Sequence, residues 1–209
     1  GFSLNGFPEK QGKYYCSVGT GNAFNRNFLD EAIELLISID IPITGYNFEV
    51  CPGQMEIQVC SYGISAADYL ILIRYILHRL SEKHNMIISF DSKPVRGEWN
   101  GSGCHTNFST EETRNENGYE HIKKYINKLE KKHTEHINIY GNDNNLRLVG
   151  KFETSEINKL TYGIGNRDTS IRIANKTFED LKGYIEDRRP SSSCDPYLVT
   201  SKLVETCLE

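Results

Sequence analysis

Glu49 and Glu56 flank the turn signal Pro52-Gly53 in the run Asn47-Phe-Glu-Val-Cys-Pro-Gly-Gln-Met-Glu-Ile-Gln58. A two-residue turn there pairs Cys51 with Gln54, Val50 with Met55 and Glu49 with Glu56. Phe48, Val50, Met55, Ile57 and Val59 then share one apolar face, and Asn47, Glu49, Glu56 and Gln58 share the other. Directly opposed carboxylates sit about 5 Å apart at Cβ and repel each other, so a cation is expected between them. All-oxygen ligation suits a hard divalent ion such as Mg2+ or Mn2+. Two exposed glutamates on a wet sheet face fit the same pattern.

A second stretch, from Lys93 to Ser109, contains Gly97, Gly101 and Gly103, which permit tight turns and close backbone approach to a ligand. His105 follows them, where it could ligate a metal or donate to a phosphate. No G-x-x-x-x-G-K-[ST] phosphate loop is present, and a turn-rich surface loop would read the same way. A third set is the arginines Arg147, Arg167, Arg172, Arg188 and Arg189, several of them near Glu153 or Glu186. Guanidinium forks bind carboxylates and phosphates bidentately. Carboxylates that hold a metal, joined by converging arginines, are what phosphoryl transfer requires, since its catalysis is mostly positioning and charge neutralisation.

The elements that must position these residues follow from periodicity. Helical spacing runs over 27–40, with Phe28, Ala32, Leu35, Leu36 and Ile39 as the expected inner stripe, ending before Pro42. Ser65 and Asp68 resemble a capping box opening an apolar helix to about Lys83. Tyr119, Ile122, Ile126 and Leu129 mark one face of a helix over about 116–136. Asp195-Pro196 reads as an N-cap with Pro at the first helical position, opening a last helix through Val199 and Leu203. Strands are expected at 46–51, 55–60, 86–91, 146–151, 169–173 and 183–187. Their irregular alternation with helices predicts an α+β domain on a largely antiparallel sheet.

Composition narrows the class. The 209 residues carry a formal net charge of −4, with 38 % hydrophobic and 25 % charged residues, as in ordinary globular domains. One domain is expected, with no linker or repeat. The densest basic pairs, Lys123-Lys124 and Lys131-Lys132, lie among acidic neighbours on a helix, so no nucleic-acid surface is expected. The longest apolar stretch, 69–77, is interrupted by Arg74 and is too short to span a bilayer. Six cysteines, with no C-x-x-C pair, are read as reduced thiols in a reducing compartment. The first residues, Gly-Phe-Ser-Leu, read as a cut into a longer chain.

The sequence resembles the eukaryotic-type glutamine synthetases over essentially its whole length. The matching runs are 11–19, Glu49-Val with 54–58, 90–94, 99–109, 116–118, 153–155, Asn166-Arg167, 170–172 and 186–196. The Trp-Asn-Gly and Glu-Asp-Arg-Arg-Pro runs are the most specific of these. The resemblance implies a curved, largely antiparallel sheet forming a half-barrel flanked by helices, shared with the guanido kinase catalytic domains. It implies an ATP-dependent ligase that joins ammonia to the γ-carboxylate of glutamate through γ-glutamyl phosphate.

The roles carried over by that resemblance are specific. Glu49, Glu56, His105 and Glu186 correspond to ligands of two or more Mg2+ or Mn2+ ions, and should converge within about 10 Å as bridged divalent sites do. Glu56, Asn107, Phe108, Ser109, Arg167, Arg172 and Tyr184 correspond to ATP contacts. Trp99, Asn100, Gly101, Arg147, Arg167 and Arg188 correspond to glutamate contacts. Glu153 corresponds to the flap carboxylate that closes the site and takes a proton from ammonium, with Arg167 and Arg172 neutralising the transferring phosphoryl group. The resemblance also implies a cytoplasmic homo-oligomeric ring, two stacked pentamers, in which each site is completed by a neighbour's β-grasp domain. That domain and a Glu-x-Glu metal strand would precede Gly1.

Three departures stand out. Phe152 stands where the family usually has His, Glu98 where it has Asn, and Cys60-Ser61 where Gly-Pro is common. Glu98 keeps open a ligase acting on a larger amine, and a non-catalytic relative or inactive fragment is the other alternative. Retention of the full charged set argues against the latter.

Overall fold

The computed structural model describes residues 14–209; the part of the 11–19 run before Tyr14 lies outside the described residues. These divide into two compact units, 14–89 with 96–100, and 90–95 with 101–209.

The first unit begins with α1 (Arg26–Ser38), whose inner face is Phe28, Leu29, Ala32, Ile33 and Leu36. The expected stripe included Leu35 and Ile39, but these are 40 % and 43 % exposed. The buried face is rotated towards Leu29 and Ile33, which with Phe48 form one apolar cluster. Strands β1 (Ile43–Phe48) and β2 (Met55–Val59) pair antiparallel with Phe48 opposite Met55 and Asn47 opposite Glu56. Helix α2 (Ser65–Lys83) follows, and Leu36, Ile41, Ile73 and Ile76 close a second cluster.

The hairpin register differs from the expected one by two residues. Glu49 N–H donates to Gln54 O at 2.8 Å and Gln54 N–H donates to Cys51 O at 2.9 Å. The favoured two-residue hairpin turns require positive φ at the first central residue, and proline is locked near −65°. Pro52 followed by Gly53 at φ 74° instead suits the second and third positions of a type II turn. Because side chains alternate with period two, a shift of two leaves every residue on its expected face. The Ser65–Asp68 capping box does not form: Ile64 is the N-cap and no side chain caps the helix.

The second unit runs through β3 (Thr106–Phe108), α3 (Glu111–Arg114), α4 (Gly118–Lys131), α5 (His133–Ile139), β4 (Tyr162–Ile164), β5 (Ile171–Ile173), α6 (Asn175–Glu179), β6 (Ile185–Asp187) and α7 (Pro196–Leu208). Its sheet has the order β3-β6-β5-β4, antiparallel except for the β4–β5 pair. Ile122, Ile126 and Leu129 of α4 pack with Ile171, Ile173 and Ile185 of the sheet and Val199 and Leu203 of α7. The capping box occurs at α3, where Thr110 Oγ1 accepts from Thr113 N–H and Thr113 Oγ1 accepts from Thr110 N–H. Asp195 caps α7, accepting from the N–H of Tyr197 at 2.8 Å and of Leu198 at 3.3 Å.

The α+β class holds, as two small sheets of two and four strands with no closed barrel among the described residues. The helix expected over 116–136 divides at Lys132 into α4 and α5. Residues 86–91 alternate as a strand would, with Met86 and Ile88 packed on the Phe28–Leu80 cluster and Ile87 96 % exposed. No strand among the described residues pairs with them, and without a ladder the alternation makes no strand. Residues 144–146 form a 3-10 turn entered from Asp143 at φ 53°, as the Asn- and Asp-rich run favours. Within 146–151, Val149 makes an isolated bridge to Glu156. Strands β3 and β4, three residues each, were not anticipated. None of the six cysteines, all among the described residues, forms a disulfide, and no helix among the described residues is long and apolar enough to cross a membrane.

Candidate active site

Strand β6 organises the chemistry of the second unit. It lies between β3 and β5 with Asn107 opposite Glu186 and Arg172 opposite Glu186. Since opposed residues share a face, Asn107, Glu186 and Arg172 form one polar row across the sheet. Ile171, Ile173 and Ile185 occupy the other face and enter the core. Phe108 also turns that way, packing against the core and meeting Tyr125 edge-on with ring centroids 6.0 Å apart. Any ligand contact at Phe108 would therefore use its backbone.

Around this row a continuous set of charged contacts is assembled. His105 Nδ1 lies 3.2 Å from Glu186 Oε1, and Arg188 Nη1 donates to the same oxygen at 3.1 Å. Arg172 Nε pairs with Glu186 Oε2 by charge, without the alignment of a hydrogen bond. Arg188 Nη2 donates to the Glu153 carbonyl at 3.2 Å, and Arg167 Nη1 donates to Glu153 Oε1 at 3.1 Å. Burial would raise the Glu186 pKa, but His105, Arg188 and Arg172 outweigh it and hold the carboxyl below its usual range. Dense packing lowers the His105 pKa, Glu186 opposing and Arg188 adding to the shift, although 37 % of the side chain remains open.

Beneath this row lies a buried brace that sequence reading did not reveal. Asp187 and Arg189 alternate with Glu186 and Arg188 and point inward, both side chains with no exposed surface. Arg189 Nε and Nη2 donate to the two Asp187 oxygens at 2.9 and 2.7 Å. Tyr140 Oη donates to Asp187 Oδ2 at 2.7 Å, and Arg189 Nη1 donates to His133 Nδ1 at 3.1 Å. The one available signal was the Glu-Asp-Arg-Arg alternation itself, which in a strand splits into two charge pairs on opposite faces.

Arg147, an expected glutamate contact, turns its guanidinium onto backbone carbonyls. It is 3 % exposed. Its Nη2 donates to the carbonyls of Arg188, Arg189 and Pro190 at 3.0, 2.7 and 3.0 Å, and its Nε donates to Asn144 at 3.1 Å. It clamps the backbone leaving β6, and burial followed by Arg188 brings its pKa down to about 10. Gly101 makes that clamp possible, because a Cβ there would lie 2.4 Å from Arg147 Cγ and 2.6 Å from Ser92 O. Ser109 Oγ accepts from Arg114 at 2.8 Å. Tyr184 is 40 % exposed.

In the first unit Glu49 and Glu56 share the polar hairpin face as diagonal neighbours, since Asn47 is opposite Glu56. Asn47 Nδ2 donates to Glu49 at 3.1 Å and Gln58 Nε2 donates to Glu56 at 2.7 Å. Burial first, then the adjacent Glu56 carboxyl, pushes the Glu49 pKa up to about 7. Two carboxyls held this close fit a divalent cation as the missing counter-charge. Trp99 and Asn100 are buried, and Asn100 Oδ1 has no hydrogen-bond partner. Glu98 is exposed. The expected four ligands are thus present as two pairs, one in each unit; among the described residues no three or more potential ligands are grouped.

The α+β sheet of the second unit thus carries an Asn–Glu–Arg row ringed by arginine–carboxylate pairs. The fold is similar to that of a cryo-EM structure of Plasmodium falciparum glutamine synthetase, with a TM-score of 0.76 at 21 % identity over 92 % of this chain and 39 % of that one. The model of the glutamine synthetase catalytic domain matches residues 4–209, and the chain belongs to that family. It is 52 % identical to glutamine synthetase N-1 of Phaseolus vulgaris over all 209 residues. It is 51 % identical to cytosolic isozyme 2 of Glycine max and 48 % to the cytosolic isozyme of Pinus sylvestris. The chain spans 59 %, 59 % and 58 % of the length of these relatives.

Proposed function

We propose that residues 1–209 form the catalytic domain of a glutamine synthetase, joining ammonia to the γ-carboxylate of glutamate at the expense of ATP. The observation that carries this is the grouping of Glu186, Arg172, Arg188, Arg167 and Glu153 in one contact network. Glu49 with Glu56, and His105 with Glu186, are the residues that would hold Mg2+ or Mn2+. Bound there, such ions would offset the phosphate charge during transfer.

In the first step a γ-carboxylate oxygen of glutamate attacks the γ-phosphorus of ATP, and ADP departs. Arg167 and Arg172 neutralise charge on the transferring phosphoryl group, while Arg188 orients glutamate. In the second step Glu153 takes a proton from ammonium, ammonia attacks the acyl carbon, and phosphate leaves. Water must be excluded meanwhile, because it would hydrolyse the acyl phosphate. Asn107, the backbone at Phe108, Ser109 and Tyr184 are the proposed nucleotide contacts. Arg147 positions Arg188 through the backbone. A homo-oligomeric ring and a cytosolic location, as in relatives named cytosolic isozymes, complete the reading.

The test uses the full-length gene product, with phosphate release and glutamine formation measured side by side. The unmodified protein should couple them one to one, and Glu153→Ala should lower amide formation by about 10²–10⁴-fold while ATP still binds. Absence of glutamine synthesis by the unmodified full-length protein would overturn the proposal. Preference for methylamine over ammonium would point instead to a larger-amine ligase.

A further inference from the structure

The segment carrying Glu153 holds an unusual backbone. Phe152 and Glu153 both lie in the left-handed region, at φ 58° and 60°, directly after Lys151 and Gly150 at φ 70°. A bulky non-glycine residue is a rare occupant of that region, and such conformations persist only where surrounding contacts impose them. After Glu153 the imposing contacts are evident. Thr154 Oγ1 donates to Arg147 O at 3.0 Å and to Lys151 O at 2.8 Å, and Ser155 Oγ meets Ser170 Oγ at 2.9 Å.

On the other side the anchor is Phe152 itself. Its half-buried ring lies under the Lys93 ammonium, 4.9 Å from nitrogen to ring centroid, within cation–π range. Lys93 stands on firmly held backbone: Ser92 Oγ bonds Ser191 Oγ at 2.8 Å, Ser92 O accepts from Ser102 N–H at 2.9 Å, and Phe90 O accepts from Ser192 Oγ at 2.7 Å. A fixed cation therefore meets a ring on a strained segment whose next residue bears the proton acceptor.

We propose that Phe152 is a positioning residue: its ring, latched under Lys93, holds the Glu153 segment over the arginine cluster and so keeps water from the acyl phosphate. This rests on the reading of Glu153 as the proton acceptor. Without the latch, the backbone strain at Phe152 and Glu153 favours release of the segment. The ring's π face is the essential feature, so Phe152→Tyr should keep the latch and Phe152→Leu should lose it.

The test compares hydrogen exchange of amides 150–155, and the ratio of phosphate to glutamine formed, in full-length wild type, Phe152→Leu, Phe152→Tyr, Lys93→Met and the Phe152→Leu/Lys93→Met double variant. Exchange in this segment should rise about 3–30-fold in both latch-breaking single variants, as befits one cation–π contact. The double variant should be no faster than either single, because both remove the same interaction. Phosphate should exceed glutamine in those three proteins, and Phe152→Tyr should match wild type. Unchanged exchange in Phe152→Leu and Lys93→Met, or additive effects in the double variant, would overturn the latch. Glu153→Ala with coupling intact, alongside faster exchange in the latch variants, would instead sink the Glu153 assignment and leave the latch standing.

Discussion

At the residue scale, four consecutive charged side chains do two different jobs. Glu186 and Arg188 face the cluster, whereas Asp187 and Arg189 are fully buried and paired. A buried ion pair broken on one side leaves an uncompensated charge, at about 3–5 kcal/mol. Arg189→Met should destabilise the protein by that order, read as a lower urea midpoint at pH 7.5. Arg189→Lys should rescue little, since an ammonium cannot reproduce the two-pronged contact. His136 extends this network, its Nδ1 2.5 Å from Tyr140 Oη and its Nε2 2.9 Å from Thr206 Oγ1. Burial, then Arg189, brings its pKa from 6.5 to about 4, with Asp187 and Glu135 opposing and Lys202 adding. The unfolded chain therefore binds the proton first as pH falls. The stability due to neutral His136 is whole above pH 6.5 and declines from there down to about pH 4. His133 shifts in the same direction. Urea midpoints should fall between pH 7 and 5, and His136→Gln should flatten that slope; an equal slope in the variant would contradict the assignment.

At the element scale, strand register decides which residues meet. Asn107, Glu186 and Arg172 come from three strands of only three residues each, aligned because Ile185, Ile171 and Ile173 must all face the core. The helices behind the sheet supply that core. Leu129 of α4 is completely buried, and Leu129→Ala should cost about 2–5 kcal/mol through lost burial and the cavity left behind. Asp195 instead caps two amides at the α7 N-terminus, so Asp195→Ala should cost only about 1 kcal/mol. Chemical denaturation of the two variants should give effects in that order.

At the scale of the whole molecule, several large apolar side chains remain outside the two units' cores. Tyr75 is 62 % exposed, Ile71 43 % and Leu72 40 %, all on α2, and Leu35, Ile37 and Ile39 are 40 %, 56 % and 43 % exposed. Exposed apolar side chains grouped on helices in this way favour association. The 209-residue chain by itself should self-associate, and sedimentation velocity should show concentration-dependent growth in size. A monodisperse monomer at about 10–100 micromolar would count against it. A charge at Tyr75 should reduce the association.

Local rules in the sequence sufficed for much of this. Helical periodicity located α1, α2, α4 and α7, and Asp195-Pro196 placed an N-cap correctly because capping depends on adjacent residues alone. Pro52-Gly53 located the hairpin, and alternation put Glu49 and Glu56 on one face even though the register moved by two. The matching runs sufficed for the family. Other features depended on partners far along the chain. Residues 86–91 alternate yet find no ladder among the described residues, whereas 106–108 and 162–164 are too short to stand out and become strands because β6 and β5 lie beside them. Arg147 looked like the other arginines; three carbonyls from 188–190, some forty residues away in sequence, make it a clamp. The Asp187–Arg189 brace and the Lys93–Phe152 contact are likewise invisible to spacing. A side chain's type is written locally, but whether its charge meets solvent, substrate or a buried partner depends on the desolvation and geometry that only tertiary packing sets.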